Sequence, residues 1–126
     1  MSRLRFFVLA AELSLFYNVN LLFAVSMNFE WAKTRAAGGQ FDSFPIGIRI
    51  LYFLMAVLMG ALMFWVWDKR NGTISQRERT FSNVLAITFM ISTVMQLISR
   101  SSDERWNAIP AAILALIFWR LPNSKP

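Results

Sequence analysis

The sequence predicts an all-α integral membrane protein: one bundle of four transmembrane helices with both termini in the cytoplasm (N-in/C-in). Of its 126 residues, 56% are hydrophobic and only 16% are charged, whereas soluble domains average about 45–50% apolar and about 25% charged residues. Four apolar stretches near the required span length of about 20 residues leave only short connections. We therefore expect one multi-pass domain in the cell (inner or plasma) membrane, residues 1–126, with spans at about 4–27, 46–67, 81–99 and 106–121.

The first span contains a carboxylate, which makes it the most informative stretch. It reads LRFFVLAAELSLFYNVNLLFAVSM, and Glu12 lies within its apolar run. Signal peptides avoid charge there, so we expect an uncleaved span. A charged, unpaired carboxylate at this depth costs several kcal/mol. Glu12 is therefore either a titrating functional group or a protonated, hydrogen-bonded structural group, and the sequence leaves both alternatives open.

Polar residues in the first and third spans predict one candidate ligand or proton site. The third span carries polar side chains four residues apart, which normally face other helices rather than lipid. If the first and third spans are neighbours, Glu12 matches Thr88 in depth and Asn20 matches Gln96. The predicted site consists of Glu12, Asn20, Thr88, Ser92 and Gln96.

Small residues predict where helices pack closely. Ala56 and Gly60 form a small-xxx-small pair in the second span, a pattern that permits close approach of helices. The fourth span is short, and tryptophans stand near both of its ends as interface anchors. Its small-residue face consists of Ala108, Ala111, Ala112 and Ala115.

The distribution of cations predicts the topology. Eight cations fall at the two termini and in the second loop: Arg3, Arg5, Lys69, Arg70, Arg77, Arg79, Arg120 and Lys125. Five fall on the other side: Lys33, Arg35, Arg49, Arg100 and Arg105. Cytoplasmic loops carry the excess of positive charge, which favours N-in/C-in. We expect the basic loop 68–80 to meet anionic lipid headgroups, and a short interfacial helix before a break at Gly38-Gly39 in the first loop.

The composition narrows the chemistry. The chain has no cysteine and no histidine, so it cannot supply a thiolate nucleophile, an imidazole base or the usual zinc or iron–sulfur ligands. We therefore expect no metal, no cofactor and no catalytic residues. The net charge is +6, but no nucleic-acid-binding motif accompanies it, so we expect lipid rather than nucleic acid as its counterpart.

Three functions remain open, in this order. The first is a non-catalytic accessory or scaffold subunit that packs against a larger membrane complex, another protein or lipid. The second is a homo-oligomeric proton-coupled transporter or channel with Glu12 as the titrating group. The third is an enzyme acting on a lipid through Glu12 or the Asp103-Glu104 pair. It ranks last because Asp103 and Glu104 are adjacent in sequence and would not face one another on a regular helix, and no activated nucleophile is identified.

Four short spans with a glutamate in the first resemble the small multidrug resistance transporters. The resemblance consists of this architecture and of Glu12 in Ala10-Ala11-Glu12. It implies exchange of protons for cationic drugs at Glu12. The chain departs from that family in the later helices, where Gly60 is the only glycine between Arg49 and Asp68 and the third and fourth spans have none.

Overall fold

The predicted all-helical fold is confirmed. A computed structural model describes residues 3–36, 41–72, 74–99 and 101–123, and these contain helices and turns but no β-strand. The helices are α1 Arg3–Ser26, α2 Ile46–Asp68, α3 Gln76–Leu97, α4 Ser102–Arg105 and α5 Ala108–Arg120. Short 3-10 turns occupy Glu30–Ala32, Lys69–Asn71 and Leu121–Asn123.

Three helices are long and apolar enough to cross a membrane. They are α1, α2 and α3, with mean hydropathies of 1.7, 2.2 and 1.4 in their most apolar windows. The last helix, α5, has 13 residues and is therefore about 20 Å long at 1.5 Å per residue. The chain is thus a membrane protein by length and composition of its helices.

The central helix of the bundle is α1. It packs along α2 on one side and against α5 on the other, and α5 in turn packs on α3. The inner face of α1 carries Leu4, Val8, Ala11 and Leu15, none more than 1% exposed. Their spacing of three and four residues places all four on one face of the helix. Thus α1 bridges α2 to the pair formed by α3 and α5.

The core of the bundle is organised around Phe118 of α5. Its ring stacks on Phe89 of α3, with centroids 5.6 Å apart, and lies 6.2 Å from the ring of Trp65 of α2. The buried hydroxyl of Ser82 donates a hydrogen bond to the Phe118 carbonyl oxygen. One side chain therefore joins three helices.

The helix ends differ from the expected span boundaries in one informative place. Helix α3 begins at Gln76, five residues before the predicted span, because Ser75 caps it. The Ser75 hydroxyl accepts from the Glu78 amide and the Glu78 carboxylate accepts from the Ser75 amide, which is a capping box. The last five residues of the predicted basic loop 68–80 therefore belong to helix α3.

The two ends of the bundle gather different loops. Arg5, Trp67 and Arg70 line one cleft, so the start of α1 and the end of α2 share one end of the molecule. At the opposite end, the Arg49 guanidinium donates to the Ser26 carbonyl 2.8 Å away and satisfies one terminal acceptor of α1. The expected break at Gly38-Gly39, and the cations Arg100 and Lys125, lie outside the described residues.

Truncating the central aromatic should loosen the bundle. Lipid is as apolar as the core, so the loss in Phe118→Ala comes mainly from the cavity left behind, and we expect unfolding in detergent micelles to become easier by about 2 kcal/mol. Phe64→Ala is the matched control, since Phe64 is 82% exposed, and it should change stability by less than about 0.5 kcal/mol. Equal effects of the two variants would contradict this packing.

Candidate functional site

A polar cavity of about 120 Å³ lies where α1, α2, α3 and α5 meet near the first loop. Apolar side chains such as Leu22, Met59 and Phe89 line part of its wall. Its polar lining consists of Asn18, Arg35, Tyr52, Ser92, Gln96, Glu104 and Asn107. The volume accommodates a few water molecules, since one water needs at least about 10–15 Å³ on this measure. The cavity is therefore a polar centre within an otherwise apolar bundle.

Hydrogen bonds close the cavity at the first-loop end. The Tyr17 hydroxyl donates to the side-chain oxygen Oδ1 of Asn107. The side-chain amide nitrogen of Asn107 donates to the Arg35 backbone carbonyl 2.7 Å away. Because Asn107 is only 3% exposed, both of these bonds are shielded from solvent. Asn107 thus fastens α1 and the first loop to the start of α5.

A second set of bonds joins the first loop to the turn before α5. The Thr34 hydroxyl donates to the Asp103 carboxylate 2.6 Å away, and the Ser101 hydroxyl donates to the Thr34 backbone carbonyl. These contacts link residues 67 and more apart in sequence. They hold the first loop over one end of the bundle.

The structure separates the five predicted site residues. Ser92 and Gln96 line the polar cavity. Asn20 and Thr88 are exposed on the outer surface, where each bonds a carbonyl of its own helix: Asn20 donates to Phe16 at 2.8 Å and Thr88 to Val84 at 2.8 Å. The two expected pairs do not form, because α5 contacts both α1 and α3 and the latter two are not close neighbours.

Glu12 lies at the edge of the inner face of α1 and is half-buried. Its Oε1 is shielded from solvent and has no hydrogen-bond partner in the described residues. The cavity side chain of Gln96 likewise has an unpartnered buried Oε1. A buried polar oxygen without a partner is uncommon in proteins. These two oxygens are therefore the groups that a proton, a water molecule or a ligand would satisfy.

The predicted packing residues divide into inward and outward sets. Ala56, Ala108, Ala111 and Ala115 are buried. Gly60 is half-buried, and a methyl group added there would meet no atom within 4 Å, so it does not mark a tight helix crossing inside the described chain. Ala112 is exposed and faces away from the core.

An apolar groove runs along the outer surface between α3 and α5. It consists of two cavities of about 410 and 440 Å³ that share Ala112. One reaches Trp119. The other reaches Trp106 and is also lined by Thr93 and Arg105, so the two cavities adjoin at Ala112 and together flank α5. Small side chains of both helices line it, namely Ala86, Ala108, Ala112 and Ala115. The small-residue face predicted from the alanines of the fourth span did not indicate this groove on the outer surface.

The opposite end of the bundle carries an ion-pair cluster that sequence patterns missed. The Lys69 ammonium pairs with Glu78 and, at 3.3 Å, with Asp68, while the Trp65 indole N–H donates to Glu78 at 2.9 Å. The hydrogen bond to Glu78 is the main reason that the pKa of Lys69 is raised. The cluster ties the end of α2 to the start of α3. The capping signal Ser75-x-x-Glu78 was the available clue.

Comparison with known proteins gives no match: no protein-family model, no curated protein and no solved structure shows significant similarity to this chain. Within residues 3–36, 41–72, 74–99 and 101–123, no group of three or more acidic side chains is placed to hold a metal ion.

Removing the Asn107 side chain should release the first loop. Asn107→Ala deletes the acceptor of Tyr17 and the donor to Arg35. A loss of about 1 kcal/mol of net hydrogen bonding should speed amide exchange in residues 28–36 about fivefold, as read by hydrogen–deuterium exchange. Asn83→Ala, on the exposed surface of α3, serves as the control. Unchanged exchange in Asn107→Ala would show that this side chain does not fasten the loop.

Proposed function

We propose that this protein is a non-catalytic subunit of a membrane assembly, and that its α3–α5 groove holds a transmembrane helix of a partner protein. One observation carries the proposal, namely the two mainly apolar cavities that adjoin at Ala112 and lie between Trp106 and Trp119. In lipid, helices associate through close packing rather than through the hydrophobic effect, and small side chains permit that packing. A groove lined by Ala86, Ala112 and Ala115 suits the ridge of a second helix.

The proposal includes four membrane spans with N-in/C-in topology. Its support is the gathering of the α1 start and the α2 end at one end of the bundle, together with the excess of cations there. At about 20 Å, α5 is shorter than a hydrocarbon core of about 30 Å. Trp106 and Trp119 are both exposed near its ends and would anchor a locally thinned bilayer or partner surface.

Anionic lipid is the second partner in this proposal. The cleft between α1 and α2 measures about 450 Å³ and is lined by Arg5, Val8, Leu9, Trp67 and Arg70. The Arg70 guanidinium lies 4.5 Å from the centre of the Trp67 ring and donates to the Trp67 carbonyl. Two guanidinium groups beside an apolar wall match a phospholipid with its phosphate at the surface. Within the basic loop 68–80, Arg70 lines this cleft. The lipid contact that we propose is therefore made by the first residues of the loop.

A variant that fills the groove tests the proposal. Ala112→Leu adds three carbon atoms at an exposed position and leaves the core intact. The larger side chain would clash with a docked helix and weaken its binding by about 1–3 kcal/mol. We expect a stoichiometric larger partner to accompany the native protein in mild detergent, and its recovery to fall at least about fivefold in Ala112→Leu.

The matched control makes the same change on another face. Ala61→Leu lies on the exposed surface of α2 and should leave recovery of the partner unchanged. The mass of the purified particles is the readout. Purification of the native protein without any other protein, or equal recovery in the two variants, would contradict the proposal.

A proton-coupled transporter is the second candidate, and the unpartnered buried Oε1 of Glu12 favours it. Ionisable residues within membrane spans often mark proton relays and ion pathways. Reconstituted vesicles should then exchange protons for hydrophobic cations, and Glu12→Gln should abolish the exchange while expression and helix content stay the same. Proton exchange that survives in Glu12→Gln would remove Glu12 from this role, and absence of exchange in the native protein would remove the candidate.

A further inference from the structure

The outer face of α1 carries a regular line of exposed side chains. Within the helix, the line consists of Phe6, Leu9, Leu13, Phe16, Asn20 and Phe23. The five apolar members are between 44% and 72% exposed, and Asn20 is exposed as well. Met27, one residue past the helix end, continues the spacing and is 45% exposed. We call this line the outer seam of α1.

The spacing of the outer seam alternates between three and four residues without interruption. This gives an average period of 3.5 residues, the pattern of positions a and d in a two-helix coiled coil. Transmembrane helices pair with the same geometry, crossing at about +20°. From Phe6 to Phe23 the seam is about 26 Å long at 1.5 Å per residue, close to the thickness of the hydrocarbon core. Any helix that buries one face exposes residues at this spacing on the other, so the period makes the seam a continuous line, and Asn20 indicates what occupies it.

Asn20 is the one polar member of the seam. One of its amide N–H groups reaches the Phe16 carbonyl at 2.8 Å, and an asparagine amide has a second N–H and a carbonyl oxygen to satisfy. On a surface otherwise made of leucine and phenylalanine, those groups would face hydrocarbon, where unmade hydrogen bonds cost free energy. The outer seam therefore contains a group that needs a polar partner at the depth of Asn20.

We propose that a second copy of this chain docks along the outer seam, with α1 parallel to α1 and with Asn20 hydrogen-bonded to Asn20 of the second copy. Copies inserted in the same direction are related by a two-fold axis along the membrane normal. Such an axis places every seam residue opposite itself, at its own depth. The amide is both donor and acceptor, so it is complementary to itself. A single asparagine at position a fixes register and favours two helices.

A second copy fits this face better than lipid or an unrelated helix. An acyl chain offers no hydrogen bond to Asn20. An unrelated helix would need its own polar residue at the matching depth, whereas the second copy has one by symmetry. The seam is on α1 and the groove of the proposed partner helix is on α3 and α5, so this dimer does not depend on the proposed partner helix. Leu9 is shared between the seam and the cleft proposed for anionic lipid.

Disulfide cross-linking tests the seam directly, because the chain contains no cysteine. In lipid bilayers, Leu13→Cys, which keeps Asn20 intact, should form an oxidised dimer. The control is Leu58→Cys, since Leu13 is 72% exposed on α1 and Leu58 is 64% exposed on α2. Leu13 lies 13 residues before the end of α1 and Leu58 lies 12 residues after the start of α2, so the two positions have similar depths. We expect at least about tenfold faster cross-linking at position 13. Equal rates at the two positions, or no cross-link at position 13, would overturn the proposal.

A second measurement separates the hydrogen bond from mere proximity. Energy transfer between labelled copies in vesicles should show about tenfold weaker association for Asn20→Leu, in line with about 1–2 kcal/mol for such polar contacts in membranes. Asn20→Gln keeps the amide and should associate within about threefold of the native chain. Association in Asn20→Leu equal to the native value would overturn the Asn20 pairing, as would a native chain that stays monomeric.

Ala112→Leu distinguishes this dimer from the partner complex. It lies in the α3–α5 groove and should leave cross-linking at position 13 unchanged, even where it displaces the partner. Loss of the dimer in Ala112→Leu would show that the copies meet through the groove, which would overturn the seam proposal.

Discussion

The rest of the fold depends on the inner face of α1, because α1 packs along α2 and also against α5, which in turn packs on α3. Its buried side chains, none more than 1% exposed, are Leu4, Val8, Ala11 and Leu15. By contrast, α2 and α3 leave most of their apolar side chains exposed. In a membrane this arrangement costs little, since lipid solvates those outer faces. Packing rather than hydrophobic burial therefore holds α1 between α2 and α5, and Phe118 extends the same packing to α3.

Polar groups are few, and the ends and faces of the bundle differ in whether these groups have hydrogen-bond partners. Asn107 and its neighbours satisfy one another around the small cavity below the first loop. Lys69 and Glu78 do the same at the other end. Glu12 and Gln96 each keep an unpartnered buried oxygen. Asn20 lies on the exposed outer face, where its amide nitrogen donates to the Phe16 carbonyl. In a medium without water, such groups determine where a proton, a ligand or another helix can be accommodated.

Hydropathy and helix period were enough to predict helices with the extents of α1 and α2, which begin and end within one residue of the expected spans. The orientation of their faces was not predictable from depth alone. Every step of four residues turns a side chain by about 40° around the helix axis. Gln96 is therefore rotated about 80° from Thr88 and reaches the cavity, while Thr88 remains outside; the same rotation separates Asn20 from Glu12. The loop contacts of Thr34 and Asn107 join residues far apart in sequence, and no local pattern reports them.

The proposed topology has the bundle cross the membrane four times, with the first loop and the turn before α5 on one side and the second loop on the other. Single cysteines at the exposed positions Asp42, Gln76 and Ser102, tested in intact cells with a membrane-impermeant maleimide, measure this directly. With this topology, Asp42→Cys and Ser102→Cys are labelled from outside, and Gln76→Cys is labelled only after the membrane is opened. Labelling of Gln76→Cys from the same side as Asp42→Cys would contradict it.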